Sequence, residues 1–170
     1  MVTKTKNINE KAKKIKLVFT DCDGVLTDTG VYYSDRGEEL KRFSLRDGMG
    51  VERLREIAKI ETGIISGEDI QLLRKRAEKL QIKEVHLGIK NKIKRIRDIA
   101  TKYNISIKEI AYIGDDINDV DVMREVGISA CPADATDFAI NAADVICTQK
   151  GGHGAFREFA EFIINAKLNN

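Results

Sequence analysis

The chain has 170 residues, 42% hydrophobic and 33% charged, with a formal net charge of +2. That length and apolar content suffice for one globular domain with a sizeable core, and so slight a basic excess argues against a dedicated nucleic-acid binder. Three widely spaced cysteines (Cys22, Cys131, Cys147) with no Cys-x-x-Cys pair indicate neither a disulfide framework nor a structural zinc site.

The first segment is polar and lysine-rich (Lys4, Lys6, Lys11, Lys13, Lys14, Lys16) and reads as a solvated arm or first helical turn. It has no apolar core of a signal peptide, and no window approaches the ~18 apolar residues of a membrane span. A cytoplasmic location is expected.

Apolar runs then alternate with helical patterns, which predicts βαβ units on a parallel sheet. Strands are predicted at 15–21, 60–65, 84–87, 110–114, 128–131 and 144–147. Ile70, Leu73, Ala77 and Leu80 recur at helical spacing in 69–80, as do Ile93, Ile96, Ala100 and Tyr103 in 91–103. Glu158, Phe159, Phe162 and Ile163 belong to a closing helix. One segment breaks the alternation. Val31-Tyr32-Tyr33, a turn through Ser34-Asp35-Arg36-Gly37-Glu38, and Leu40-Lys41-Arg42-Phe43 read as a β-hairpin. Ligands of open α/β sheets bind beyond the carboxyl ends of the strands, so this hairpin is expected as a flap over such a site.

The first predicted strand ends in Asp21-Cys22-Asp23-Gly24. Two carboxylates at the mouth of a buried strand repel each other and lose solvation, and a divalent cation is the natural compensation. Other strand ends also deliver polar groups. Ser66-Gly67-Glu68 offers a hydroxyl and a free N–H before a helix, an arrangement that attracts anions. Lys90 and Lys92 precede the next helix, and Asp115, Asp116 and Asp119 follow strand 110–114. A nucleophilic carboxylate, an acid, a hydroxyl, an ammonium and an acidic cluster together are what phosphoryl transfer through an aspartyl-phosphate requires.

Other residues have plainer readings. Alternation points Cys22 into the core, and His86 is structural. Asp28 and Asp47 suit turns or helix N-caps. Tyr32, Tyr33 and Phe43 suit cross-strand packing, or an assembly surface where exposed.

Four motifs stand in order: Asp21-x-Asp23-Gly24-Val25, Ser66-Gly67, Lys92, and Gly114-Asp115-Asp116-x-Asn118-Asp119. With these the chain resembles the haloacid dehalogenase superfamily of phosphatases over essentially its whole length. The resemblance implies an α/β fold, a Rossmann-like doubly wound parallel sheet. It implies a single phosphatase domain over 1–170, with the hairpin inserted at 29–45 and a C-terminal tail and helix at 150–170. It further implies Asp21 as nucleophile and Asp23 as general acid/base. Ser66, Gly67 and Lys92, rather than Lys90, would hold the phosphate. A Mg²⁺ site would be made by Asp21, Asp115 and the backbone carbonyl of Asp23, with Asp116 and Asp119 as orienting groups.

Only 44 residues separate Asp21 from Ser66, and 25 separate Ser66 from Lys92, which leaves no room for a globular cap domain. More closely, the chain is similar to the capless branch acting on 3-deoxy-2-ulosonic acid phosphates. The matching pieces are Asp21 to Asp28, the hairpin, Arg46-Asp47-Gly48, and the glycine-rich Gly151-Gly152-His153-Gly154-Ala155-Phe156-Arg157-Glu158. That likeness implies a homotetramer built through the hairpins, with each neighbour serving as a cap and the tail closing over the site. It implies substrate contacts from Glu68, Asp47, Arg76, Gly152 and His153. The substrate it implies is 3-deoxy-D-manno-octulosonate 8-phosphate. Glu68 stands where octulosonate enzymes carry a basic residue, and in this it is similar to relatives acting on nine-carbon acids, 2-keto-3-deoxynononate or N-acylneuraminate 9-phosphate. A receiver-like phospho-acceptor domain is the rival from another class, and it has no use for Asp23. No nucleic-acid or membrane partner is expected.

Overall fold

A computed structural model of the chain describes residues 1–4 and 7–169. The centre of the sheet is β2 (Leu17–Thr20), buried along its whole length. Its side chains alternate between two faces, as the strand period demands. Leu17 and Phe19 join one apolar cluster and Val18 joins the other. Parallel strands flank it on both sides: β5 (Glu61–Ile65) and then β6 (Glu84–His86), and on the other side β7 (Ile110–Ile113), β8 (Ile128–Cys131) and β9 (Val145–Ile146). The order therefore reverses at β2, and a crevice opens beyond its carboxyl end.

Helices cover both faces, as an all-parallel core requires. On the face of Val18 lie α1 (Ile8–Lys13), α2 (Leu45–Arg53), α3 (Gln71–Lys79) and α7 (Ala155–Leu168), contributing Ala12, Val51, Leu73, Phe156 and Phe159. The face of Phe19 receives α4 (Lys92–Tyr103), α5 (Val120–Glu125) and α6 (Asp137–Ala142), through Ile96, Ile99, Val122, Met123 and Ala139. Phe156 and Phe159 are wholly buried, each contributing roughly 2–3 kcal/mol by removal from water.

The expected hairpin is present as β3 (Tyr32–Ser34) and β4 (Gly37–Leu40), an antiparallel pair turning through Asp35 and Arg36. A bridge between Thr27 and Phe43 closes its base. Between β2 and α2 the described residues hold nothing larger, so no cap domain is inserted there. Of the two readings of the lysine-rich N-terminal segment, a solvated arm or a first helical turn, only the arm needs correction. Val2–Thr3 forms β1, antiparallel to β9, and Lys11 and Lys13 lie on α1. Lys6, part of the same expectation, lies outside the described residues. Asp47 does not precede a helix but lies in the first turn of α2, whose cap is Ser44, accepting from the Arg46 and Asp47 N–H groups at 3.1 and 3.3 Å. Among the described residues no helix is long and apolar enough to cross a membrane.

Candidate active site

The crevice at the end of β2 is built by the chain leaving three strands. Asp21 extends the ladder, its N–H donating to Ile113 O at 2.9 Å, and the next residues fold into a tight loop. The N–H groups of Val25, Leu26 and Thr27 all converge on Cys22 O. Gly24 takes φ +81°, and a Cβ there would stand 1.9 Å from Asp115 Oδ2. Only glycine lets the β7 carboxylate close up against the β2 loop. From below, the glycine-rich tail packs on the same loop. A Cβ on Gly151 would stand 1.9 Å from Gly24 O, and Gly152 N–H donates to Val25 O at 2.9 Å.

The acidic groups converge. Among the described residues Asp21, Asp115 and Asp119 each offer one carboxylate oxygen within 4.8 Å of the others. Lys92, the first residue of α4, lies beneath them with its Nζ 3.0 Å from Asp21 Oδ1 and 2.7 Å from Asp119 Oδ1. Asp119 is saturated with donors: Lys92, the Tyr112 hydroxyl at 2.5 Å, and the N–H groups of Asp115 and Asp116. Asp116 caps the turn that follows, accepting from Ile117 N–H at 2.7 Å.

Burial, and then the charge of Asp119, push the Asp21 carboxyl up to about 7 despite Lys92. Burial with the charges of Asp21, Asp119 and Asp116 pushes Asp115 up to about 8. Burial alone would lower the Lys92 ammonium, but Asp21 and Asp119 raise it. A cavity of about 420 Å³ opens above, lined by six carboxylates (Asp21, Asp23, Glu38, Glu68, Asp115, Asp116) and by one cation, Lys41. Clustered, desolvated carboxylates with no thiol or imidazole among them are the donor set of a hard divalent cation such as Mg²⁺. No dianionic ligand enters such a pocket until that charge is offset.

Most of the expected residues meet here. Asp21, Asp23, Asp115, Asp116 and Glu68 line the cavity, with Lys92 and Asp119 in its floor. Ser66 follows β5, buried, its hydroxyl accepting from Glu68 N–H at 3.1 Å. Beside it, a Cβ on Gly67 would meet open space. Lys90 lies apart, in a surface hollow with Lys94 and Asp98. His86 pairs with Glu84 at 2.8 Å.

Four expected substrate contacts lie elsewhere in this chain. Asp47 is 1% exposed. Its oxygens accept from Gly154 N–H (3.1 Å) and Arg157 N–H (3.0 Å), so it caps α7 instead of facing the cavity. Arg76 bonds Ser44 O at 2.8 Å and lies over the Phe43 ring, in a separate apolar groove between hairpin and α3. Gly152 is buried beneath the Asp21 loop. His153 is held by Gly151 O and by Arg42, on the outer side of the tail. The tail thus supports the loop from behind and contributes no residue to the cavity lining.

Several residues of the cavity were not foreseen, and among them Lys41 and Glu38 carry charge. Lys41 leaves the end of β4 and pairs with Asp23 Oδ1 at 2.7 Å and Glu38 Oε1 at 3.1 Å. Its burial is visible only in the folded chain. In sequence it is one of many lysines, on a hairpin whose alternation says nothing of ion pairs.

A sequence profile described as haloacid dehalogenase-like hydrolase matches residues 51–158. The chain belongs to that family. Within it, the chain is 38% identical over 160 residues to the 3-deoxy-D-manno-octulosonate 8-phosphate phosphatase KdsC of Haemophilus influenzae, covering 94% of this chain and 88% of that protein. Against KdsC of Escherichia coli K12 it is 39% identical over 157 residues, covering 92% and 83%. Among solved structures, the phosphatase of Moraxella catarrhalis in complex with magnesium ion, phosphate ion and KDO has a TM-score of 0.92 at 34% identity, covering 97% of this chain and 94% of that one. The cobalt-bound Haemophilus influenzae phosphatase gives 0.88 at 39%, covering 92% and 91%.

Proposed function

We propose that this chain is a Mg²⁺-dependent phosphatase that hydrolyses 3-deoxy-D-manno-octulosonate (KDO) 8-phosphate to KDO and phosphate. The observation that carries the reading is the buried Asp21–Lys92–Asp119 cluster with Asp115 beside it, at the mouth of the central strand, in a chain 38% identical to KdsC. Both rival readings are set aside. The curated relatives named above act on the eight-carbon acid, so Glu68 alone does not support a nine-carbon substrate. Membership of a hydrolase family leaves no case for a receiver-like domain.

Asp21 is the nucleophile. Its carboxylate attacks phosphorus, and Lys92, ion-paired to it, screens the repulsion between two anions. Mg²⁺ would be held by Asp21, Asp115 and the backbone carbonyl of Asp23, and would supply neutralisation of charge on the phosphoryl oxygens. Asp119 and Asp116 fix the loop that carries Asp115, and Ser66 and Gly67 bind phosphoryl oxygens from the β5 side. Asp23 gives its proton to the sugar oxygen as the P–O bond breaks. As a carboxylate it then takes a proton from the water that opens the aspartyl-phosphate, so atoms and charge balance over the cycle.

The same proposal includes its setting: one phosphatase domain over 1–170, in the cytoplasm, assembled as a homotetramer through the hairpin 29–45. Tyr32, Tyr33 and Leu40 are each more than 60% exposed on it, an apolar surface that assembly would cover. Arg76 would meet substrate only from a neighbouring subunit.

Phosphate release is to be measured from KDO 8-phosphate, nine-carbon ulosonate 9-phosphates and hexose phosphates, with Mg²⁺ and with EDTA. Mg²⁺-dependent turnover with KDO 8-phosphate preferred is expected. Preference for any other member overturns the substrate, and turnover in EDTA overturns the metal. Light scattering giving a monomer overturns the tetramer.

A further inference from the structure

We propose that Lys41 is a positioning residue that fixes Asp23 from the hairpin, so that Oδ2 of Asp23 is the oxygen that exchanges the proton. The inference rests on the acid/base reading of Asp23 above. Lys41 Nζ donates to Asp23 Oδ1 at 2.7 Å, and Thr27 Oγ1 reaches the same oxygen at 3.3 Å. Both donors use Oδ1, and among the described residues no donor reaches Oδ2.

The Lys41 side chain is 2% exposed. An ammonium taken out of water needs compensating charge in place, and here it has two carboxylates: Asp23, which accepts its hydrogen bond, and Glu38 on the hairpin itself, an ion-pair partner with Oε1 at 3.1 Å. Glu38 holds the ammonium from behind, which aims a flexible lysine at a single point. Thr27 fixes Asp23 from the loop side, and the Thr27–Phe43 bridge ties that loop to the hairpin base. A carboxylate gripped at one oxygen by two donors cannot rotate freely. Its other oxygen is presented to the cavity in one orientation, as proton transfer in a transition state requires. The step is the one already balanced: the proton leaves Oδ2 for the departing oxygen, and Oδ2 later recovers one from water.

A plainer role exists, in which Lys41 merely offsets negative charge in the pocket. The two roles part in their dependence on the leaving group. Loss of an aligned acid hurts a poor leaving group more than a good one, whereas loss of background charge hurts both alike. The ratio of kcat/KM for p-nitrophenyl phosphate to that for phenyl phosphate reports this, because kcat/KM covers only the steps through departure of the leaving group. In wild type, Lys41→Met and Asp23→Asn it is to be measured with saturating Mg²⁺. We expect the ratio to rise about tenfold in Lys41→Met, in the same sense as in Asp23→Asn. An unchanged ratio in Lys41→Met beside a raised one in Asp23→Asn overturns the Lys41 assignment alone. An unchanged ratio in Asp23→Asn overturns the acid/base reading itself. Lys41→Gln, which also removes the charge, repeats the test with the same expectation if Lys41→Met does not fold.

Discussion

Asp119 and Lys92 form a 2.7 Å ion pair sealed from solvent, their side chains 0% and 1% exposed. Removing one partner of such a pair strands the other in a medium that does not solvate it. Asp119→Asn keeps the shape but turns an N–H₂ group towards one of two donor pairs, either Lys92 with the Tyr112 hydroxyl at Oδ1 or the two backbone N–H groups at Oδ2. The expected loss is about 3–5 kcal/mol of folding stability by urea titration, with Mg²⁺ affinity down about 10–100-fold. A variant as stable as wild type would show that the pair is not needed.

The raised carboxyls of Asp21 and Asp115 make the stability of the metal-free protein depend on pH. Their folded values, about 7 and about 8, lie above the ordinary 3.8. The folded state therefore holds protons that the unfolded state has released, and stability falls as pH rises from about 4 to about 8. Mg²⁺ binds the deprotonated carboxylates and reverses the trend. In EDTA the melting temperature should decline across that window, and the rise produced by Mg²⁺ should grow with pH. A flat EDTA profile would contradict the burial of these groups as charged neighbours.

Asp47→Ala separates architecture from chemistry. The Asp47 carboxylate caps α7 through Gly154 and Arg157, and its loss should cost about 1–2 kcal/mol of stability. KM for KDO 8-phosphate should stay within about twofold of wild type, since the side chain removed does not contribute uniform binding of substrate. A large rise in KM with unchanged stability would restore Asp47 to the substrate.

Glu68 is exposed at the rim of an already acidic cavity. An anion there repels a phosphate monoester, and Glu68→Gln should lower KM for KDO 8-phosphate by a factor on the order of five, about 1 kcal/mol. Steady-state kinetics at low ionic strength would reveal it, and a higher KM would mean that Glu68 accepts a substrate hydroxyl.

The strands were legible because their apolar runs are bounded and their burial is continuous. Leu17 to Thr20, Ile110 to Ile113 and Ile128 to Cys131 fall where periodicity put them. The hairpin and the helices carrying Leu73 and Ile96 were equally plain. By contrast β1 has two residues, too few for any period, and α5 and α6 have six each. In the site, groups at strand ends were readable because topology brings strand ends together. That Asp47 suits a helix cap was readable, but which helix was not, because its partner is a helix terminus more than a hundred residues away. Lys41 was missed because nothing local distinguishes a lysine that folds inward from one that stays in water.

The packing of Gly151 and Gly152 on the loop after Asp21 sets an order of events during synthesis. Asp21, Asp23, Ser66, Lys92, Asp115 and Asp119 all leave the ribosome before the tail that braces the loop. A nascent chain can therefore hold every acidic group of the pocket and still lack its shape. Activity should switch on late, with the arrival of residues that lie outside the cavity lining, and shortening the chain behind Thr148 should silence the enzyme while sparing Asp21, Asp23, Lys92 and Asp115.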